Sequence, residues 1–174
     1  MTRRVLMTEA FGEVSDGGGL WRFSVAFYGR PGVSEALIAL QDRAGVDVNL
    51  MLFALWLGVS ASGRLSNEEL ATAERVVRPI RVNVVEPLRA LRRKLRPHPD
   101  ADVQTLREGI KAIELATEQV VQNRLSVLAR PLAGDPAEPA LAALANLRLY
   151  LGPELAGSAE ADTVAQALQA FLAE

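Results

Sequence analysis

Residues 46–59, VDVNLMLFALWLGV, decide the fold. From Val48 onward the segment has no polar face, so it cannot be the half-wet helix of a protein surface; a helix apolar all round is one that others surround. Asp47 stands where an N-cap belongs, and Gly45 where the preceding helix needs a C-cap. With Asp47 and Asn49 inside it, the run falls short of the ~20 apolar residues that cross a bilayer. A central, buried helix is the expectation.

Working outward, residues 33–44 place Val33, Ala36, Leu37 and Leu40 on one face at helical spacing. Residues 20–28 read as a short helix, with a strand as the competing reading, stopped at Gly29-Arg30-Pro31-Gly32, because Pro31 disfavours helical geometry just before it. Residues 1–19 end in Asp16-Gly17-Gly18-Gly19 and are expected to be a flexible arm; acids at Glu9, Glu13 and Asp16 argue against a signal peptide.

Downstream, Ser66 and Glu69 form a capping-box pattern, and Leu70, Ala73, Val77, Ile80, Val84, Leu88, Leu91 and Leu95 recur at steps of three and four. Pro79 and Pro87 interrupt this helix, each deleting one hydrogen bond at a cost of ~3 kcal/mol, so one or two kinks are expected. After a turn at 96–100, residues 101–129 continue with Val103, Leu106, Ile110, Ile113, Val120 or Val121, Leu125 and Leu128 as the apolar stripe of an antiparallel return helix. A Pro/Gly/Asp-rich loop at 131–139 precedes a helix over 140–151, closed by Gly152-Pro153, and a last helix over 162–173. The expectation is an all-α bundle of six or seven helices with a central apolar helix and a long, proline-kinked antiparallel hairpin. It is one helical domain over 20–174: a motif-bearing core at 20–63, the hairpin at 64–130 and acidic C-terminal helices at 131–174.

The chain has 174 residues, 49% hydrophobic and 23% charged, which suits one compact domain with a core. Its 19 Lys and Arg against 21 Asp and Glu leave a net charge of −2, so the molecule as a whole does not attract nucleic acid or anionic membrane. Zero cysteines exclude disulfides, thiolate nucleophiles and Cys-ligated metals; a single histidine excludes multi-His sites. Gly-x-Ser-x-Gly, P-loop and dinucleotide-binding patterns are absent from the sequence, and His98, between two prolines, reads as a loop residue. No catalytic residue, metal ligand or cofactor is therefore assigned, and without a leader or membrane span the expected location is the cytoplasm.

Charge is uneven. Residues 64–98 hold nine basic and four acidic residues, a net of +5, whereas 135–174 hold Arg148 against six acids, a net of −5. On a continuous helix Arg75, Arg78, Arg81, Arg89, Arg92 and Arg96 share a stripe opposite the apolar one. This stripe is either a solvated face partly neutralised by Glu108, Glu114 and Glu118 or by the acidic tail, or the docking face for an acidic partner. With no aromatic residue between Arg64 and Pro99 to stack on a base, nucleic acid is the weakest candidate. The primary functional expectation is thus a non-enzymatic adaptor or assembly factor, binding an acidic protein or its own acidic tail in a homodimer.

The alternative rests on a polar set beside the apolar core: Arg22, Arg30, Asp42, Arg43, Asp47 and Asn49. Burying such groups is costly unless they pair, so a shared network is expected. Its structural version has Asp47 capping its helix, Asp42 paired with an arginine and Asn49 satisfying a loop carbonyl. Its functional version is a pocket for a small anionic or amphipathic ligand, with the arginines as charge partners and Trp21, Phe23, Tyr28, Phe53 and Trp56 as its wall. Asp42 and Asp47 alone do not complete a magnesium octahedron.

The string Trp21-Arg22-Phe23-Ser24, Tyr28-Gly29-Arg30-Pro31-Gly32-Val33, Leu40-Gln41-Asp42-Arg43, Gly45, Asp47-Val48-Asn49-Leu50, Leu52-Phe53 and Trp56 resembles an uncharacterised proteobacterial family of small helical proteins. The similarity covers roughly residues 20–58. Glu86-Pro87-Leu88-Arg89-Ala90-Leu91-Arg92-Arg93 with Glu114-Leu115 is similar to the family's second, looser signature. The resemblance implies a bacterial, cytoplasmic protein and carries no reaction with it.

Overall fold

The computed structural model describes residues 19–60, 63–129 and 138–173, and among these there is helix and no strand. The elements are α1 (Gly19–Tyr28), α2 (Val33–Ala44), α3 (Val48–Val59), α4 (Asn67–Ile80), a π-helical segment (Arg81–Val85), α5 (Glu86–Leu95), α6 (Ala101–Val127), α7 (Pro139–Leu155) and α8 (Ala159–Leu172). Because α4, the π segment and α5 run on without a break, these make seven helical rods. The expected arm at 1–19 lies, up to residue 18, outside the described residues, as does most of the 131–139 loop.

The boundaries follow the local chemistry. Asp47 Oδ1 accepts from Asn49 N–H at 2.9 Å at the start of α3, and Gly45 closes α2 with φ 67°. Ser66 and Glu69 form the reciprocal capping box of α4. Gly152, at φ 71° and ψ 173°, bends α7 ahead of Pro153, a conformation that costs a side-chain-bearing residue far more than glycine.

Helix α3 is buried all round because it separates two cores. Met51, Leu52 and Leu55 face Phe23, Phe27, Leu37, Leu147, Val164 and Leu168, while Leu50, Phe53, Ala54 and Leu57 face Leu20, Val77, Val85, Val121 and Leu125. In the first core Phe23 stacks on Phe27 with centroids 5.5 Å apart, and Phe171 of α8 sits edge-on to both at 5.8 Å. Each fully buried large side chain contributes about 1.5–3 kcal/mol. Helix α7 lies against α3 so closely that a Cβ on Gly58 would fall 2.2 Å from the Ala143 backbone nitrogen.

Hairpin phase is where the structure departs from the sequence reading. Pro87 has no N–H to give the Asn83 carbonyl, and its ring crowds that carbonyl. The turn widens instead: Glu86 N–H reaches the Arg81 carbonyl five residues back, and Asn83 Nδ2 takes the Pro79 carbonyl at 2.8 Å. A π turn adds about one residue to the helix, so every position beyond it is rotated relative to a straight α-helix. Val84 and Leu91, expected in the apolar stripe, are exposed; Val85 is buried, and Arg89 and Arg92 swing toward the protein. Helix α6 answers with polar residues: Glu114, Gln119 and Gln122 are buried beside Ile110, Val121 and Leu125, whereas Leu106 and Ile113 face outward.

Candidate functional site

The rotation of α5 assembles a site that neither half of the chain holds alone. Arg89 Nε donates to Glu114 Oε1 at 3.2 Å and its Nη2 to Glu118 Oε1 at 3.1 Å; Arg92 Nε donates to Glu114 Oε2 at 2.5 Å. Burial works to raise the Glu114 carboxyl, but the hydrogen bonds and charges of Arg92 and Arg89 outweigh it and hold the group below the usual carboxylate range. The same Glu114 bond, against a smaller desolvation penalty, raises Arg92 above its ordinary value. Glu114 is thereby a fixed anion rather than a base awaiting a proton.

About two turns earlier in the same rod, Arg81 bridges the hairpin to the central helix. Its Nη2 donates to Glu74 Oε1 at 2.5 Å and its Nη1 to Asp47 Oδ2 at 3.0 Å. The Glu74 bond dominates the rise of the Arg81 pKa, with Asp47 adding to it against burial. Tyr150 of α7 closes the same network, its hydroxyl accepting from Asp47 N–H at 2.8 Å and donating to the Asp47 carbonyl at 3.1 Å. Burial, and then the nearby Asp47 charge, push the phenol well above the usual tyrosine range.

Between α1–α3 and α5–α6, beside the Arg89–Arg92–Glu114–Glu118 cluster, lies a cleft of about 500 Å³. Trp21, Val25, Tyr28, Leu52 and Leu115 form its apolar wall, and Ser24, Asn49 and Gln122 its polar part. Gln122 Nε2 donates to Asn49 Oδ1 at 3.0 Å, which leaves Gln122 Oε1 with no partner among the described residues; Ser24 Oγ is in the same position. Both side chains are buried, at 3% and 4% exposure. The charged lining is balanced, with Arg89, Arg92 and Lys111 against Glu108, Glu114 and Glu118. A smaller cleft of about 250 Å³ adjoins, sharing Gln41, Asn49 and Arg89 and adding Asp42, Asp47, Arg81 and Arg93.

The polar set expected to form one network is divided. Asp47 and Asn49 are at the centre, and Asp42 pairs with Arg93 at the edge of the smaller cleft. Arg43 instead pairs with Glu160 of α8 at 2.6 Å, and Arg30 lies 5.3 Å from the Phe171 ring centroid. Arg22 is exposed and lines neither cleft; Trp56 packs against Phe53 and Gly19. The six-arginine stripe is divided as well: Arg75, Arg78 and Arg96 are exposed, while Arg81, Arg89 and Arg92 are internal partners. Among the described residues their ion pairs run to Asp47, Glu74, Glu86, Glu114 and Glu118, not to the acidic C-terminal helices.

Sequence reasoning missed Ser24, Gln41, Gln122 and Tyr150. Gln122 gave no local signal, because on a helical wheel it stands about 120° from Ile110 and off the apolar stripe of its helix. Chemically, the cleft offers hydrogen bonds, apolar contact and fixed charges of both signs; no described residue stands as a base beside the Ser24 hydroxyl.

No curated protein and no solved structure matches the chain. A family model described as a protein of unknown function, DUF2390, matches residues 19–125, a span that contains every residue lining the two clefts. The chain therefore belongs to the DUF2390 family.

Proposed function

We propose that this protein is a ligand-binding helical bundle that takes a small amphipathic molecule of no net charge into the cleft between α1–α3 and the α5–α6 hairpin. The observation that carries the reading is two buried polar atoms without partners, Ser24 Oγ on α1 and Gln122 Oε1 on α6, among the residues that line a 500 Å³ cleft. A buried acceptor left unmade costs about 1–3 kcal/mol, a penalty that a ligand N–H or O–H removes. A volume of this size lies in the range of small-molecule pockets. The balanced lining favours a neutral or zwitterionic ligand over an anion, because Arg89 and Arg92 already have carboxylates.

The acidic-partner reading retains Arg75, Arg78 and Arg96 as its surface, half of the stripe on which it was based. Native mass spectrometry of the full chain isolated from its own host separates the two. A stoichiometric small-molecule adduct, lost in an Ala112→Trp variant of unchanged helicity that fills the cleft, is the expected result. Adduct-free protein accompanied by a stoichiometric acidic protein, released by charge reversal at Arg75 and Arg78, overturns it.

A further inference from the structure

Helix α6 carries a second apolar stripe, on the side away from the core. Leu106, Ile113, Val120 and Val127 recur every seven residues and are 61%, 47%, 46% and 83% exposed. Seven-residue spacing keeps side chains in line along a helix, and it is the repeat by which two helices pack along their length. Scattered exposed aliphatics need no explanation, but four in register on one helix, about 10 Å apart, make an aligned row. Small residues run beside it: Ala116, and Gly109, where an added Cβ would meet nothing within 4 Å. Small side chains let a second backbone come close.

The ends of the strip specify what covers it. Asp102 lies on this face at the N-terminal end of α6 and Arg124 at the C-terminal end, and neither has an ion pair among the described residues. A second copy of α6 laid antiparallel and centred on Ile113 sets Asp102 against Arg124 of the other copy at both ends. The same register sets Leu106 against Val120 and Ile113 against itself. A parallel pair would instead align Asp102 with Asp102 and Arg124 with Arg124, which repels at both ends.

We propose that α6 is the two-fold dimerisation face of this protein, pairing antiparallel with α6 of a second copy through Leu106, Ile113 and Val120 and closed at each end by an Asp102–Arg124 ion pair. An interface between identical subunits about a two-fold axis is self-complementary, which this sequence satisfies about Ile113. The proposal is independent of the cleft, which opens on the other side of α6 through Lys111, Glu114, Leu115, Glu118 and Gln122.

The chain has no cysteine, so single cysteines report the register directly. Under mild oxidation Ile113→Cys is expected to cross-link to itself, Leu106→Cys alone not to, and a mixture of Leu106→Cys with Val120→Cys to form the mixed disulfide. Analytical ultracentrifugation of the full chain is expected to find a dimer, lost in Ile113→Glu. Asp102→Arg weakens it, and the Asp102→Arg/Arg124→Asp double variant restores it, an outcome that no loss of folding can imitate. A monomer at every concentration, a dimer indifferent to Ile113→Glu, or self-cross-linking of Leu106→Cys to the extent of Ile113→Cys overturns the proposal.

Discussion

Arg81 Nη1 donates to Asp47 Oδ2 at 3.0 Å while the other oxygen of the same carboxylate caps α3. One side chain thus ends a loop, starts the central helix and anchors the π turn of the hairpin. Replacing Asp47 by Ala removes the cap, about 1 kcal/mol, and leaves the partly buried Arg81 with one partner fewer. The expected total is about 2–4 kcal/mol by urea denaturation, and clearly less for Asp47→Asn, which keeps a capping oxygen. In a double-mutant cycle with Arg81→Met the two changes should couple and not simply add.

The π segment sets which residues of α5 face inward. Inserting an alanine between Val85 and Glu86, just beyond it, should advance the following helix by about 100°, turning Arg89 and Arg92 away from Glu114. Helicity by circular dichroism should persist while the melting temperature falls and the host-derived adduct disappears. Retention of the adduct would mean that the hairpin phase is not what builds the cleft.

Glu114 makes the protein acid-sensitive in a defined direction. Its folded pKa lies below its ordinary 4.5, so its contribution is present above that pH and is lost as pH falls through the lower, folded value. Unfolding free energy followed from pH 6 downward in urea should drop across this window, and Glu114→Gln should flatten the profile at the cost of lower stability at neutral pH.

Gly58 is required by proximity. In Gly58→Ala the new methyl meets the α7 backbone at Ala143, with 2.2 Å available, so α3 and α7 must separate. Overpacking of this kind costs about 1–3 kcal/mol or more. The urea midpoint should fall accordingly, whereas Gly157→Ala, where nothing lies within 4 Å, should leave it unchanged.

Most elements were legible locally, since their signals are local. The apolar circumference of α3, the Ser66–Glu69 box, the Gly45 cap and the Asp47 cap each depend on residues a few positions apart, and the chemistry of hydrogen-bonding a helix end does not wait for tertiary contacts. Pro79 and Pro87 announced a disturbance in the same way. What they could not convey was its form: a kink bends a rod but keeps its faces, whereas a π turn rotates them. That rotation undid the reading of Val84 and Leu91 as buried and of Arg89 and Arg92 as surface residues, while Arg81, where the π segment opens, turns in to Asp47 and Glu74 by its place four residues after Val77.

The candidate site was legible at Asp47 and Asn49 and not at Ser24, Gln122 or Tyr150. Partnership across long separations, such as the 103 residues between Asp47 and Tyr150 or the 73 between Asn49 and Gln122, leaves no periodic trace in the chain. The sequence by itself determined an all-helical protein with α3 at its centre, because periodicity, caps and the absence of a polar face act within single helices. Only the tertiary structure decided which arginines pair inside, where the cleft lies and which stripe of α6 faces water. Those outcomes depend on the rotational phase of one helix against another, and a single inserted residue in the π turn changes it.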